Sequence, residues 1–431
     1  MAQLKCGAAA RRVTPPLQKN IPQCMSLNLS TGVKDDLYTH ALAVESDGKA
    51  AILISIDTSG LGTRFTRRVR EELQARIGVD PDAVMVSAIH IHTGGPQLME
   101  VFWGQKEDGE VTELFLRETV AAAVEAYENR VPVRAYYAEG REERVSFCRN
   151  YHMQDGTVIT NPGYRRACEI VAPASEIDRT LAGLRFEDEA GRTVAELVNF
   201  ACHPDTVGGT EYSADYPGEL RRRLRAARGC DHTVVFLNGF SGNVNHIDGV
   251  RRIDPTFRYP KDHYKAMGTL LSETLLSLPE NRLDGCAVAY AVRRFYAPRR
   301  QPTEETRRWA EEMRDSEKAS KVDKRLAEEL FRLIEHPKRR ETVELQAIRI
   351  GELTVVGFPG EPFSDIGLEL RRRLPERRLM LSELANNELG YFATEPAYSA
   401  GVYEAILPSD PFELPVIDRM LDEAEKLAGR I

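Results

Sequence analysis

His90 and His92 stand one residue apart in the run Ser87-Ala88-Ile89-His90-Ile91-His92-Thr93-Gly94-Gly95-Pro96, where a β-rich stretch gives way to a Gly-Gly-Pro turn. On an ideal strand alternate residues project to the same side, so both imidazoles would reach one site. Neutral imidazole binds metals, carries protons or sits hydrogen-bonded in a core, and H-x-H spacing alone admits all three. The glycines let a ligand approach the backbone and let the chain turn sharply. A third histidine ends the apolar run Asn199-Phe200-Ala201-Cys202-His203-Pro204, where proline stops further strand pairing. Three of the nine histidines thus fall where an apolar strand meets a loop, the place where α/β proteins gather ligand-binding groups. Cys202 has the chemistry of a metal ligand or nucleophile, but alternation turns it away from His203 and favours a role as buried filler.

Two later runs bring further reactive groups. Leu353-Thr354-Val355-Val356-Gly357-Phe358-Pro359-Gly360-Glu361-Pro362 reads as a buried strand ending in a Pro-Gly turn and a carboxylate. Glu361 suits a ligand set, and equally suits a favourable charge at a helix N-terminus. The polar run Asn386 to Thr394 contains Tyr391, and Tyr403-Glu404 follows; tyrosines in such positions commonly pack with a solvated hydroxyl. Asp215, in the loop entering a helix over 219–227, reads first as a cap or loop organiser and second as a substrate contact. Asp57 ends an apolar strand and is placed to brace the same cavity. His232, His263 and His336 show no partner pattern.

The elements that must position these groups follow from periodicity. Strands are expected at Ala51–Ile56, Val84–Ile89, Thr193–Ala201, Thr233–Leu237, Val343–Ile350 and Leu353–Phe358. Arg64–Ile77 repeats Phe65, Val69, Leu73 and Ile77 on one helical stripe, and Glu113–Tyr127 does so with Leu116, Val120, Val124 and Tyr127. Strands alternating with amphipathic helices predict an α/β architecture, mixed sheets flanked by helices. Thr303–Ile334 is charged and helical with Leu326, Leu330 and Ile334 on one face. It is expected as a helical insertion at about 300–338 in one domain spanning 1–431, structural first, with a lid or oligomer contact as the other readings.

Composition narrows the field. The 431 residues are 42% hydrophobic and 29% charged, the balance of a globular protein. A formal net charge of −8 offers no positive field for nucleic acid or an anionic membrane surface. The runs Arg221-Arg222-Arg223 and Arg371-Arg372-Arg373 sit in helical patterns and read as solvated helix faces. No stretch approaches the roughly 18 apolar residues of a membrane span, and the first residues lack a signal-peptide core. Seven scattered cysteines, an odd number without a C-x-x-C pair, argue against a disulfide framework. A cytoplasmic location and a small-molecule partner are expected, with a homo-oligomer open.

Taken together, Ile89–Pro96, Asn199–Pro204, Pro359–Pro362 and Asn386–Glu404 resemble, in order and spacing, the motifs of the neutral (non-lysosomal) ceramidases, from about Asp35 to Glu404. The resemblance implies the catalytic-domain fold of that family and a zinc ion held by His90, His203, Glu361 and Tyr391. It implies that His92 contacts substrate or shuttles protons, that Tyr403 stabilises a developing oxyanion, and that Arg149, in Cys148-Arg149-Asn150, is a further electrophilic contact. The family's G-D-V-S-P-N loop is Gly242-Asn243-Val244-Asn245-His246-Ile247 here. Its serine role is therefore not available, and Gly242 and Asn245 are assigned to substrate binding. The chain ends soon after Tyr403, so the family's C-terminal β-sandwich is not expected and ceramide is a poor substrate candidate. The implied reaction is metal-assisted attack of water on an N-acyl group. Asn238, Asn243, Asn245, Asn386 and Asn387 near the motifs point to a small polar substrate. An esterase, a sugar de-N-acetylase or a non-catalytic binding protein are the competing expectations.

Overall fold

Apolar runs of five to eight residues without polar alternation belong to strands buried on both faces. The computed structural model of the chain, which describes residues 3–23, 26–102, 104–229, 232–251, 254 and 258–431, realises this in four layers. The first part of the chain forms β1 (Lys5–Arg12), β2 (Tyr38–Ser46), β3 (Lys49–Ile56), α1 (Thr63–Ile77), β4 (Val84–Ala88), α2 (Gly109–Glu128) and β5 (Val131–Arg141). It continues with β6 (Thr180–Asp188), β7 (Thr193–Phe200), α3 (Asp215–Arg228), β8 (Thr233–Asn238) and α4 (His263–Ser277). Its nine-stranded sheet runs β8-β7-β6-β5-β1-β2-β3-β4, with Asn281–Arg282 pairing onto β5 off that path. The pairs β7–β8 and β3–β4 are parallel and the others antiparallel. The sheet curls until its two ends meet, and the Ser55 hydroxyl in β3 donates to the Phe236 carbonyl in β8 at 2.5 Å.

A second sheet follows from β9 (Val288–Pro298), α5 (Glu304–Asp315), α6 (Lys321–Glu335), β10 (Arg340–Ile350), β11 (Leu353–Gly357), β12 (Glu361–Pro362), α7 (Ser364–Arg373), β13 (Arg378–Ser382), β14 (Tyr391–Phe392) and α8 (Leu414–Arg430). Its order is β9-β10-β11-β13, with only β11–β13 parallel. Side-chain alternation sorts the layers. Ile52, Ile54 and Ile56 of β3 meet α1 to α4, whereas Ala51 and Leu53 meet Ile348, Val355 and Met380 of the second sheet. The outer face of that sheet, Leu345, Val356 and Leu381, is covered by α7 and α8. Each fully buried leucine or isoleucine in these layers contributes about 1.5–3 kcal/mol over exposure.

The predicted strands and amphipathic helices all form, with ends displaced by a few residues. The expected single helix from Thr303 is instead a hairpin. A new helix starts at Ser320, whose hydroxyl accepts from the Asp323 N–H while the Asp323 carboxylate accepts from the Ser320 N–H. The basic run in α3 is not a solvated face throughout: Arg221 is buried and donates three hydrogen bonds to Asp57 at 2.8–2.9 Å. A buried carboxylate at the end of β3 requires such a partner. No helix among the described residues is long and apolar enough to cross a membrane. Cys6, Cys148, Cys168, Cys202 and Cys286 are free thiols; Cys24 and Cys230 lie outside the described residues.

Candidate metal centre and its cavity

The three parallel pairs, β3–β4, β7–β8 and β11–β13, send six carboxyl-terminal loops to one end of the sandwich. There His90, His203 and Glu361 converge. The expected strand geometry does not deliver the two histidines of the H-x-H run, because β4 ends at Ala88. His90 instead adopts a left-handed backbone, φ 69°, a conformation unfavourable for a non-glycine residue. Its N–H donates to the Thr58 carbonyl at 3.0 Å, and its Nδ1 lies 2.7 Å from the Ser59 carbonyl. His203 is held likewise, with Nδ1 2.9 and 3.0 Å from the carbonyls of Ser241 and Val244.

Carbonyl oxygens only accept, so each Nδ1 carries the proton and each Nε2 presents a lone pair inward. Both lone pairs meet one carboxylate oxygen: Glu361 Oε2 lies 3.2 Å from His90 Nε2 and 3.1 Å from His203 Nε2. That oxygen is buried without an aligned hydrogen-bond donor. Converging acceptors in a buried place fit a cation, and one carboxylate with imidazoles is a donor set suited to zinc. His90, His92 and His203 also place their ligand atoms within 4.8 Å of one another. His92 is therefore within reach of the same cation, beside the role implied for it.

In the protein alone the electrostatics are those of an ion pair, with a proton held between His90 and Glu361 where a cation would replace it. Burial would lower His90, but the charge and hydrogen bond of Glu361, with Glu383 and Glu388 beyond, raise it to about 10. Burial and the charge of His90 push His92 down to about 3. Burial and the Arg149 guanidinium lower His203. Burial raises Glu361, and the charges and hydrogen bonds of His90 and His203 more than reverse it.

Tight backbone contacts set this geometry. Gly242 lies against the Glu361 loop, where a Cβ would stand 2.4 Å from the Glu361 carbonyl, and its N–H donates to Pro362 at 3.0 Å. Glycine is required there because the loop that anchors His203 must touch the strand that carries Glu361. The Glu361 N–H donates to Gly390, and β12 pairs with β14 so that Glu361 stands beside Tyr391. Tyr391 in turn packs on Tyr403, ring centroids 5.8 Å apart.

Arg149 is 6% exposed and reaches the same group of side chains. Its Nε donates to Glu404 at 2.7 Å, its Nη1 lies 3.3 Å from His203 Nε2, and its Nη2 is buried without a partner. The guanidinium stands 5.3 Å from the Tyr391 ring centroid.

These groups open into a cavity of about 1230 Å³. His90, His92, Arg149, Glu361, Tyr391 and Tyr403 line it. Asp215, Gly242 and Asn245, expected at the substrate, do not. Asp215 organises its loop, accepting from the N–H groups of Val207 and Tyr216. Asn245 stands behind a lining residue, donating to Asn161 at 2.7 Å. Cys202 is buried as expected, but the strand ends at Phe200, so alternation does not set its direction. Asp57 spends its carboxylate on Arg221 and the Tyr38 N–H, away from the cavity lining. Of the five asparagines near the motifs only Asn387 lines the cavity; Asn238 binds Glu383, Asn386 binds Val86 and Gln346, and Asn243 binds Ser175 and the Ser364 N–H. An asparagine at a strand end pairs backbone groups as readily as it lines a pocket.

Several participants carried no signal in the sequence. Glu383 accepts from Asn238, from the Ser241 hydroxyl and from the Ser241 N–H, all within 2.8 Å, and so holds the loop that orients His203. Burial, with the charge of Glu361 added, raises it to about 8. Asp205 takes His246 at 2.8 Å. The α5–α6 hairpin supplies a whole wall, with Trp309, Val322, Leu326 and Leu333 facing inward. Its helical character was expected, with a lid among its readings; its place as a wall of this cavity was not.

No protein-family model matches the chain, and no curated protein matches it. Solved structures do. A ceramidase complexed with C2 superposes with a TM-score of 0.76 over 99% of this chain and 75% of its own, at 14% identity. The neutral ceramidase from Pseudomonas aeruginosa gives 0.73 over 99% and 74%, at 15% identity. In fold, the chain is neutral-ceramidase-like along 99% of its length.

Proposed function

We propose that the protein is a zinc-dependent hydrolase that cleaves an amide (N-acyl) bond with metal-activated water, on a small polar substrate. The observation that carries this reading is the meeting of His90 Nε2 and His203 Nε2 on Glu361 Oε2 at 3.1–3.2 Å, beside a large cavity that His90 and Glu361 line. His90, His203 and Glu361 would hold the ion, with Tyr391 or His92 as the fourth protein donor. Zinc bound there would polarise a carbonyl oxygen and lower the pKa of a water molecule to about 7.

The protein's own groups supply the rest. Arg149, locked by Glu404, offers its unpartnered Nη2 to the carbonyl oxygen as negative charge develops. The Tyr403 hydroxyl is a second donor at the same cavity. His92, held neutral, takes a proton from the attacking water or delivers one to the leaving amine. The likeness to ceramidases supports the amide-bond class. The mixed lining, with Glu388 and Asp205 beside Arg64 and Lys338, supports a polar substrate over a long apolar chain. The same lining favours, as second reading, a sugar de-N-acetylase or esterase.

Metal analysis of purified protein and of His203→Ala, followed by an amide and ester screen, tests the proposal. Near-stoichiometric zinc, lost in the variant, with turnover of an amide, is the expected result. Protein that stays metal-free when zinc is supplied overturns it. Zinc-loaded protein inert on every amide and ester would leave a binding protein.

A further inference from the structure

Buried polar atoms without partners cost about 1–3 kcal/mol each, so a cluster of them facing a cavity implies a ligand that satisfies them. Three such oxygens are Ser59 Oγ, Gln97 Oε1 and Glu388 Oε2. All three residues line the cavity. Gly60 joins them, for a Cβ there would stand 3.4 Å from Gln97 Oε1 and 3.7 Å from Glu388 Cγ. Ser59 is only 3% exposed, and its carbonyl is the group that orients His90. The Glu388 carboxyl is held in place, since the Gly390 N–H donates to Oε1 at 2.8 Å and leaves Oε2 turned elsewhere. The donor Arg149 Nη2 is likewise buried without a partner.

We infer that Ser59, Gln97 and Glu388 form a specificity subsite for a hydrogen-bond-donor substituent of the substrate, an ammonium or a hydroxyl group. Arg149 takes the carbonyl oxygen, and the Ser59 hydroxyl, the Gln97 amide oxygen and the Glu388 carboxyl accept from the donor group. This rests on the hydrolase reading for the reaction, but not for the binding. A site built of acceptors rejects an isostere that lacks the donor far more strongly than an apolar pocket rejects an extra methylene.

The test uses zinc-replete protein and three matched amides, N-acetylethanolamine, N-acetylethylenediamine and N-propylacetamide. Their acyl-side counterparts are the N-methyl amides of glycolic acid, glycine and propionic acid. In one of the two series, kcat/KM for a donor-bearing member should exceed that of the alkyl member by at least about tenfold. Glu388→Gln should reduce an ammonium preference more than a hydroxyl preference, and Gln97→Met should reduce either, with zinc content unchanged. Equal rates within both series, or variants that lower every member alike, overturn the subsite. So does loss of zinc in Glu388→Gln, which would assign that carboxylate to the metal. If no amide is cleaved, calorimetric binding of N-acetylethanolamine and N-acetylethylenediamine against N-propylacetamide, and of the acyl-side series likewise, decides. A donor preference abolished by Glu388→Gln keeps the subsite while the hydrolase reading fails, and no preference removes both.

Discussion

The cavity has two walls built on opposite physical terms. The metal-side wall consists of strand-end loops in which every functional side chain is fixed by at least one backbone contact: His90 by Ser59, His203 by Ser241 and Val244, Glu361 through its own N–H to Gly390. The facing wall is the α5–α6 hairpin, whose buried residues are few, Ala310, Leu326, Ala327 and Leu330 among them. Its small core reaches the rest of the protein through Leu407. The seam between the walls is the segment 406–410, where the Ser409 carbonyl accepts from the Tyr391 N–H. Precision of donors belongs to loops overdetermined by parallel strands, whereas a helical pair with little burial is suited to shaping the entrance.

The contrast breaks most severely at Glu361. Glu361→Ala or His203→Ala removes a ligand outright, so metal loss should exceed the roughly 10–100-fold in affinity typical of residues that only orient a ligand. Metal analysis with circular dichroism, to verify folding, reads the outcome. Glu383→Gln, which alters the bonds to Asn238 and Ser241, should fall within that 10–100-fold range and keep the fold.

Arg149 sharpens the division between holding the metal and assisting the reaction. Arg149→Met should lower kcat by about 10²–10³-fold while zinc is retained. It should also destabilise the protein by about 3–5 kcal/mol, because Glu404 is left buried and unpaired. Adding Glu404→Gln should restore much of the thermal midpoint but none of the rate. A double variant recovering both would remove Arg149 from the reaction.

On the hairpin side the effects are smaller. Trp309→Ala should leave zinc content unchanged and alter KM by about tenfold or less, with kcat nearly constant. Amide hydrogen exchange should be faster throughout 304–335 than in 52–56, since local opening follows burial. Equal protection in the two segments would erase the distinction between the walls.

The seam gives the mildest prediction. Burial raises Asp410 to about 7, although the N–H groups of Ala393 and Phe412 and the Tyr398 hydroxyl pull it down. A carboxyl raised in the folded state binds its proton more tightly there than in the unfolded chain, where the pKa is about 3.9. Its contribution to stability is present below that value and is lost as pH rises through about 7. Asp410→Asn should flatten the thermal midpoint across that window.

Much was legible without coordinates. Continuous apolar runs with helices between them fixed the class of architecture, because only strands covered on both faces read that way. Histidines and a glutamate at the ends of such runs marked where a site would form, since strand ends open onto loops. Local pattern also placed α1 and α2. It could not show that His90 leaves the strand, because the left-handed turn is imposed by the Thr58 and Ser59 carbonyls from a separate loop. Nor could it separate asparagines that pin backbone from those that line a pocket, or find Glu383 and Glu388, isolated carboxylates whose meaning comes from neighbours distant in the chain. Residue types and spacing specified the chemistry available; the curl of one sheet against another decided which lone pairs meet, because convergence of atoms from six loops is a property of packing.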